Sequence, residues 1–401
     1  MYSGNITKLY LIKIAKWFML TMPILMLFYQ DLGFTVEESF QLKAIYSIAI
    51  VIFEIPSGYA ADVLGRKRTL IIGSILGTVG FAIYSLSSGF YAFVAAELIL
   101  GIGQSFISGA DSALLYDSLK ADGREKDYLK YEGRNFSVGN FSEAIAGFMG
   151  GALAEWSLRM PFVFQTGIAF IAVPAAFLLI EPQLYTRTQK ATWKDIWNVV
   201  KYAMIKNKSL RYNIIYSSII GSATLSMAWV YPLYLKEVGF REIHIGTTST
   251  VLNLIVGLTT LAAYKIEQKL KPKSTVIGTT VIITGAFILA GLIHSYWVLP
   301  VLVVFYFSRG IATPVLKDYI NRITSSDIRA TVLSIRSLII RANFSVLAPL
   351  FGYVTDRLSL SQAFTIIGAV FMVLTGSSIF LFLKSVEKGA ESTTLSEGEI
   401  Q

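Results

Sequence analysis

The sequence predicts an all-α membrane protein, with about twelve transmembrane helices in two pseudo-symmetric six-helix bundles. Three observations carry that expectation. Hydrophobic residues make up 54% of the 401 positions and charged residues only 15%, against about 25% charged in a soluble domain. Apolar runs recur from end to end, each near the roughly 20 residues a helix needs to cross the hydrocarbon core. Lysine and arginine concentrate in alternate connections, the bias that marks the cytoplasmic face of a bilayer protein.

The runs fall at 9–29, 39–60, 69–88, 92–119, 131–154 and 160–180, then at 210–235, 245–266, 274–294, 297–320, 330–355 and 360–383. The first opens near Tyr10, is long enough to span and lacks a small-residue cleavage site, so it reads as an anchor rather than a leader. Lys13 and Lys16 on it can snorkel. The second carries Glu54, about two turns before Asp62. The fourth carries Glu97, Gln104, Ser108, Asp111 and Ser118, whose spacing sets them on one face. A single polar stripe on a buried helix lines a watery cavity, and ionisable groups at membrane depth are functional candidates. Asp111, Glu54, Glu143 and Glu97 are therefore the candidate proton carriers, Asp111 first, because a carboxyl out of water favours its neutral form. Glu143, in the fifth run, shares a face with Gly139, Gly147 and Gly150 and reads equally as a buried structural hydrogen bonder. Asp117 and Arg134 flank the following loop and read as a surface or interface ion pair.

The longest gap, 181–209, separates six runs from six. It is basic (Arg187, Lys190, Lys194, Lys201, Lys206, Lys208) and interleaved with Trp193, Trp197 and Tyr202, the pattern of an amphipathic segment on anionic lipid. The expected organisation is an N-terminal bundle at 1–180, this linker, a C-terminal bundle at 210–384 and an unstructured tail at 385–401. In the second half Arg309 lies mid-helix with Thr313 one turn on. Arg341 lies deep in the eleventh run, with Ser334, Ser337 and Ser345 on nearly the same face. These arginines, with Gln104, Ser108, Thr313 and Ser337, are the substrate-cavity candidates; fixed ion pairs with acids of the first half are the alternative. Arg336 points elsewhere and is expected to snorkel.

One set of loops holds Arg66, Lys67 and Arg68; Lys120, Arg124, Lys126 and Lys130; the linker; Lys269, Lys271 and Lys273; and Arg322 and Arg329. The other holds chiefly Arg159, Lys236, Arg241 and Arg357. The first set, and with it both termini, is expected to be cytoplasmic. The net charge of +9, which would suggest nucleic acid in a soluble chain, is thus assigned to anionic lipid. With no cysteine and only His244 and His294, no metal cluster, cofactor site or nucleophile–base set suggests an enzyme, and no phosphate-binding Gly-x-x-x-x-Gly-Lys-Ser/Thr loop suggests ATP use.

The halves read as repeats. Gly65 to Thr69, with Gly73, aligns with Leu270 to Ser274, with Gly278, and Asp62 then falls on Glu267. Asn140-Phe141-Ser142 recurs as Asn343-Phe344-Ser345, and Asp117 and Asp318 each close a fourth helix. Between the second and third runs stands Gly58-Tyr59-Ala60-Ala61-Asp62-Val63-Leu64-Gly65-Arg66-Lys67-Arg68. This resembles the loop signature of the major facilitator superfamily, G-x-L-x-D-x-x-G-R-K/R, with Ala60 where leucine is usual. The resemblance implies a secondary transporter of a small solute, working as a monomer by rocking-bundle alternating access in the bacterial inner membrane. Gly58, Asp62, Gly65, Arg66, Lys67 and Arg68 would then form a cytoplasmic latch, Gly58 admitting a neighbouring helix and the basic residues meeting headgroups or acids of another loop. The arginine that many members carry in the fourth helix is Glu97 here. Ala146 to Gly151 resembles the antiporter pattern G-P-x-x-G-G, which points to proton-coupled efflux. Proton-coupled import of an anionic or zwitterionic metabolite is the alternative, and a non-transporting membrane sensor the alternative of another class.

Overall fold

A computed structural model describes residues 2–108, 110–182, 193–325 and 328–398. The described chain is built from helices: α1 (Ser3–Trp17), α2 (Leu25–Asp31), α3 (Val36–Leu64), α4 (Arg66–Leu86), α5 (Phe90–Ile107), α6 (Ala110–Ala121), α7 (Tyr128–Ala154) and α8 (Met160–Phe177). After the linker come α9 (Trp193–Lys201), a π-helical turn (Tyr202–Lys206), α10 (Lys208–Glu237), α11 (Glu242–Leu292), α12 (Val298–Arg322), α13 (Arg329–Arg357) and α14 (Leu360–Gly398).

Nine of the described helices are long and apolar enough to cross a membrane. The physical reasons for the other three expected crossings differ. The 51 residues of α11 would extend roughly 77 Å as one rod, more than twice the ~30 Å hydrocarbon core. The helix turns at Lys271, whose φ of 65° and ψ of 155° are not helical, so it makes two passes. The first crossing is broken between α1 and α2, where Pro23 removes a backbone donor and disfavours helix at Met22. There the Leu20 N–H donates instead to Gln165 Oε1 at 2.9 Å, and the Leu20 backbone presses on Gly150 where any side chain would collide. Helix α7 carries Lys130, Glu132, Arg134 and Glu143 and is too polar to register by apolarity alone.

The fourth run, counted above as one span over Phe90–Ala121, leaves helical geometry at Ser108 (φ −60°, ψ 123°), and α6 is described from Ala110. The stripe expected on one continuous helix is thereby split between two. Helix α3 starts at a reciprocal cap, Thr35 Oγ1 accepting from the Glu38 N–H at 3.1 Å and Glu38 Oε2 from the Thr35 N–H at 2.9 Å. The last helix runs to Gly398, beyond the expected end of its span and into the tail expected to lack structure.

Two compact units result, residues 1–187 with 229–253, and residues 188–228 with 254–401. The division crosses the contiguous halves read from the sequence, because the end of α10 and the start of α11 pack with the first unit. Bare backbone makes this contact. Side chains added at Gly147 or Gly151 of α7 would meet Thr250 Oγ1 at 3.0 Å and Gly246 Cα at 2.9 Å. Thr250 Oγ1 donates to Ala144 O at 2.6 Å. Arg241 pairs with Glu155, whose other oxygen accepts from the Ile243 N–H at 3.2 Å. The core of the first unit gathers Ile12 and Ala15 of α1, Leu114 and Leu115 of α6, and Ala172 and Ala176 of α8. In the second unit, Ala203 of the linker packs with Leu210, Ile214, Ile320 and Val332, so this stretch of the linker is buried in protein.

Candidate functional site

A cavity of about 140 Å³ lies inside the first unit. Its walls are apolar for the most part: Met19, Leu25, Phe81, Leu100, Ile107 and Phe162 contribute, as do Gly73, Gly77 and Gly103. Into it face Lys43 of α3, Glu97 and Gln104 of α5, Tyr84 of α4 and Trp229 of α10. Glycine sets these walls close together. A side chain at Gly101 would stand 2.6 Å from Ala49 Cβ and 2.9 Å from Tyr46 O, and one at Gly103 3.1 Å from Gly73 O. Helix α5 therefore seats against α3 and α4 at near backbone contact, as small residues allow inside membranes. One turn away from Gly101, Glu97 is brought against Lys43.

Glu97 is wholly buried, with 0% exposure, and Lys43 has 6%. Lys43 Nζ lies 2.5 Å from Glu97 Oε1. The same oxygen lies within hydrogen-bond reach of Tyr29 OH, at 2.9 Å, and of Tyr84 OH, and the two phenol oxygens also touch each other; with one proton apiece the phenols make two of these three bonds at a time. Glu97 Oε2 is buried with no hydrogen-bond partner among the described residues. The ammonium of Lys43 rests on two aromatic faces, 4.8 Å from the Trp229 ring and 5.2 Å from Tyr46, a cation–π arrangement worth about 2 kcal/mol when desolvated. Tyr84 is stacked between Phe93 and Phe162, with centroids at 4.7 and 5.3 Å, which fixes its hydroxyl. The result is a compensated but removable charge pair: one carboxylate oxygen carries three donors and the other none.

Asp111 is placed differently from the expectation. It lies in the first turn of α6, 7% exposed. Oδ1 accepts from the Ser112 N–H at 2.8 Å and Oδ2 lies 3.8 Å from Lys13 Nζ. Lys13, expected to snorkel, is instead buried, over the Trp17 ring at 5.0 Å. Neither lines the cavity, nor do Glu54, Glu143 or Ser108; of the stripe only Glu97 and Gln104 reach it. Glu54 and Glu143 are half-buried on α3 and α7. In the second unit Arg309 is half-buried with its guanidinium 5.3 Å from the Tyr306 ring, Arg341 is half-buried, and Thr313 and Ser337 are exposed. The sequence reading missed Lys43, Tyr29, Tyr84 and Trp229. A lysine within the second apolar run is the one signal that pointed to them.

The loop between α3 and α4 is organised by Gly65, at φ 92°. Its successors Arg66 and Lys67 donate their backbone N–H groups to Glu181, at 3.0 and 2.6 Å, so Glu181 caps the N-terminus of α4. A side chain at Gly65 would stand 3.3 Å from Glu181 Oε2. Arg66 bonds Asp117 and, at 2.6 Å, Ala113 O. Asp117 is thus the partner of Arg66 and not of Arg134. Gly58 has open space where a side chain would go, with nothing packed against that position among the described residues. Arg68 is exposed and Lys67 half-buried; the side chain of Asp62 lies outside the described residues.

Helix count, internal repeat and this loop define a membrane transporter fold of two six-helix halves. The family model described as Major Facilitator Superfamily matches residues 9–342, and the chain belongs to that family. An MFS-type transporter of Methanocaldococcus jannaschii is 20% identical over 90% of this chain and 92% of its own length. The quinolone resistance protein NorA of Staphylococcus aureus is 26% identical over 44% of this chain and 47% of its own. Among solved structures, the nucleoside transporter NupG superposes with a TM-score of 0.78 at 16% identity, covering 94% of this chain and 98% of that one. A D-xylose–proton symporter gives 0.72 at 14% identity, over 94% and 95%.

Proposed function

We propose that this transporter is a proton-coupled exporter of a small solute in the bacterial inner membrane, with both termini cytoplasmic. One observation carries the reading: the buried Lys43–Glu97 pair on the wall of a mainly apolar cavity that Lys16 and Gln104 also line. A proton on Glu97 removes the counter-charge of Lys43, and a cation against Glu97 excludes the proton. Mutually exclusive occupancy of one carboxylate is what antiport requires. Glu97 therefore replaces Asp111 as the coupling residue, and Asp111 with Lys13 is read as a static pair. Gln104, Lys43 and Trp229 are the solute contacts within this cavity. Similarity to a quinolone resistance protein supports export, and the bias of lysine and arginine among the loops supports the orientation. The Gly65–Arg66–Asp117–Glu181 cluster is read as the part of the cytoplasmic latch that stays within one unit.

The test is flux into inverted proteoliposomes made acidic inside, with aromatic dyes such as ethidium as reporters. Wild type is expected to accumulate dye, and Glu97→Gln to lose gradient-driven accumulation while keeping dye-for-dye exchange. Asp111→Asn should retain gradient-driven accumulation. A Glu97→Gln protein still driven by the pH gradient would overturn the assignment, and accumulation only with the gradient reversed would make the chain an importer.

A further inference from the structure

We propose that Arg159 is a positioning residue for the proton site, holding the phenols of Tyr29 and Tyr84 where they reach Glu97; the proposal rests on the reading of Glu97 as the coupling residue. Arg159 stands at the N-cap of α8 and is half-buried. Its guanidinium closes the end of α4, where the last carbonyls have no partner within the helix. Nη1 lies within hydrogen-bond reach of Ser87 O at 2.7 Å, Ser85 O at 3.0 Å and Tyr84 O at 3.4 Å, and its two protons serve the nearer two best. Nη2 donates to Ser88 Oγ at 2.8 Å. The same guanidinium stands 5.4 Å from the ring of Phe28, the neighbour of Tyr29 in sequence. One side chain thus touches both segments that carry the phenols, α2 and the end of α4. Among the described residues it makes no bond to Glu97 itself.

Packing carries the constraint inward. Phe28 packs on Phe162 of α8 with centroids 4.3 Å apart, and Phe162 stacks on Tyr84 at 5.3 Å. One residue beyond Tyr84, Ser85 Oγ and Thr166 Oγ1 of α8 are bonded at 2.8 Å. Tyr29 and Tyr84 are buried, so their hydroxyls are aimed by these neighbours and not by water. Bonds to an ionised carboxylate are strong and fall off steeply as geometry worsens. With Glu97 ionised both phenols donate to it; with Glu97 protonated one of them is released to the other. The phenols therefore favour the ionised carboxylate, and loosening them lets it keep its proton to a higher pH. The titratable and charged groups facing Glu97 are Lys43 of α3, Tyr29 of α2 and Tyr84 of α4. Lys16 of α1 and Tyr46 of α3 line the same cavity. Any effect of Arg159 on the site must then pass through packing or through its charge, and the two are separable.

The test is a pH titration of tryptophan emission from the purified full chain in detergent. Trp229 lies over the Lys43 ammonium, so the component lost in both Trp229→Phe and Glu97→Gln reports the proton on Glu97. Tyr84→Phe removes one donor and is expected to move the midpoint of that component to higher pH by about one unit, the scale of a hydrogen bond to a charged acceptor. Arg159→Gln should move it in the same direction by a smaller amount. Arg159→Lys keeps the charge but not the planar fork, so its midpoint should fall between wild type and Arg159→Gln. This variant carries the test if Arg159→Gln does not fold. In the double variant Tyr84→Phe/Arg159→Gln the shift should stay short of the sum of the two single shifts, because both act through one phenol. A wild-type midpoint in Arg159→Gln or in Arg159→Lys, or additive shifts in the double variant, overturns the proposal. Absence of any component that depends on Glu97 would strike the coupling reading itself, and the proposal with it.

Discussion

Replacing Lys43 by methionine removes the ammonium while keeping a side chain of similar length against Tyr46 and Trp229. Glu97 is then a buried carboxylate without its counter-ion, and breaking a buried pair typically costs about 3–5 kcal/mol. Tyr29 and Tyr84 still donate to Oε1, each bond to a charged acceptor being worth about 1.5–3 kcal/mol, so the low end, about 3 kcal/mol, is expected. Glu97→Gln should cost a similar ~3 kcal/mol by stranding Lys43, softened by its two aromatic faces. The double variant carries neither charge, and its cost should fall short of the sum by about 2–3 kcal/mol. Unfolding by SDS in mixed micelles measures the cycle. Tryptophan fluorescence is a local reporter, because Trp229 lies 4.8 Å from the Lys43 ammonium. Additivity to within about 0.5 kcal/mol would mean that the two side chains are not energetically paired, and the coupling role of Glu97 would fall with it.

Two further outcomes follow from local geometry. Lys271 occupies φ 65°, ψ 155°, a region essentially reserved for glycine and costing about 1–3 kcal/mol otherwise; Lys271→Gly should raise stability by about 1 kcal/mol after the added chain entropy of glycine, and a destabilised variant in the same SDS unfolding would contradict this. The Arg241 hydrogen bond, and next the Ile243 N–H, hold the Glu155 carboxyl below its usual range. Its contribution is therefore complete above the ordinary carboxyl value of about 4.3 and fades as pH falls through the lowered folded value. Arg241→Gln should flatten that acid limb of the stability profile, and an unchanged limb would remove the pair from the account.

Helix placement was legible because the bilayer imposes a length and a composition on every crossing, and the loop signature was legible because its glycine and basic residues are adjacent in sequence. The turn at Gly65 does recur, but at Lys271 rather than at Leu270, one residue from the aligned position. Positive φ at a lysine leaves no trace in composition, and only backbone geometry exposes the shift. Site chemistry was less legible for a different reason. Glu97 and Asp111 were both found from the polar stripe, yet their ranking depended on an unbroken helix, whereas Ser108 is extended and Asp111 lies beside Lys13. Lys43 and Lys13 resemble snorkelling lysines when read in one dimension, since each lies near the start of an apolar run. What separates a buried partner from a snorkelling chain is a carboxylate on another helix, and that contact spans 54 residues for Lys43 and 98 for Lys13.

The same contrast explains why the two repeats need not share chemistry although they share a turn. In the first unit each of these buried lysines meets its own acid, Lys13 with Asp111 and Lys43 with Glu97, so the pairs are neutral as they stand. Adding a proton there changes the local charge by one. In the second unit Arg336 meets the hydroxyl of Ser217 and, among the described residues, no carboxylate, and arginine stays charged throughout the physiological range. On the proposed reading, proton coupling therefore belongs to the first unit. Glu97→Gln should erase the pH dependence of flux and leave solute affinity nearly intact, whereas Arg336→Gln should leave that pH dependence in place. Flux that no longer depends on pH in Arg336→Gln would contradict this division.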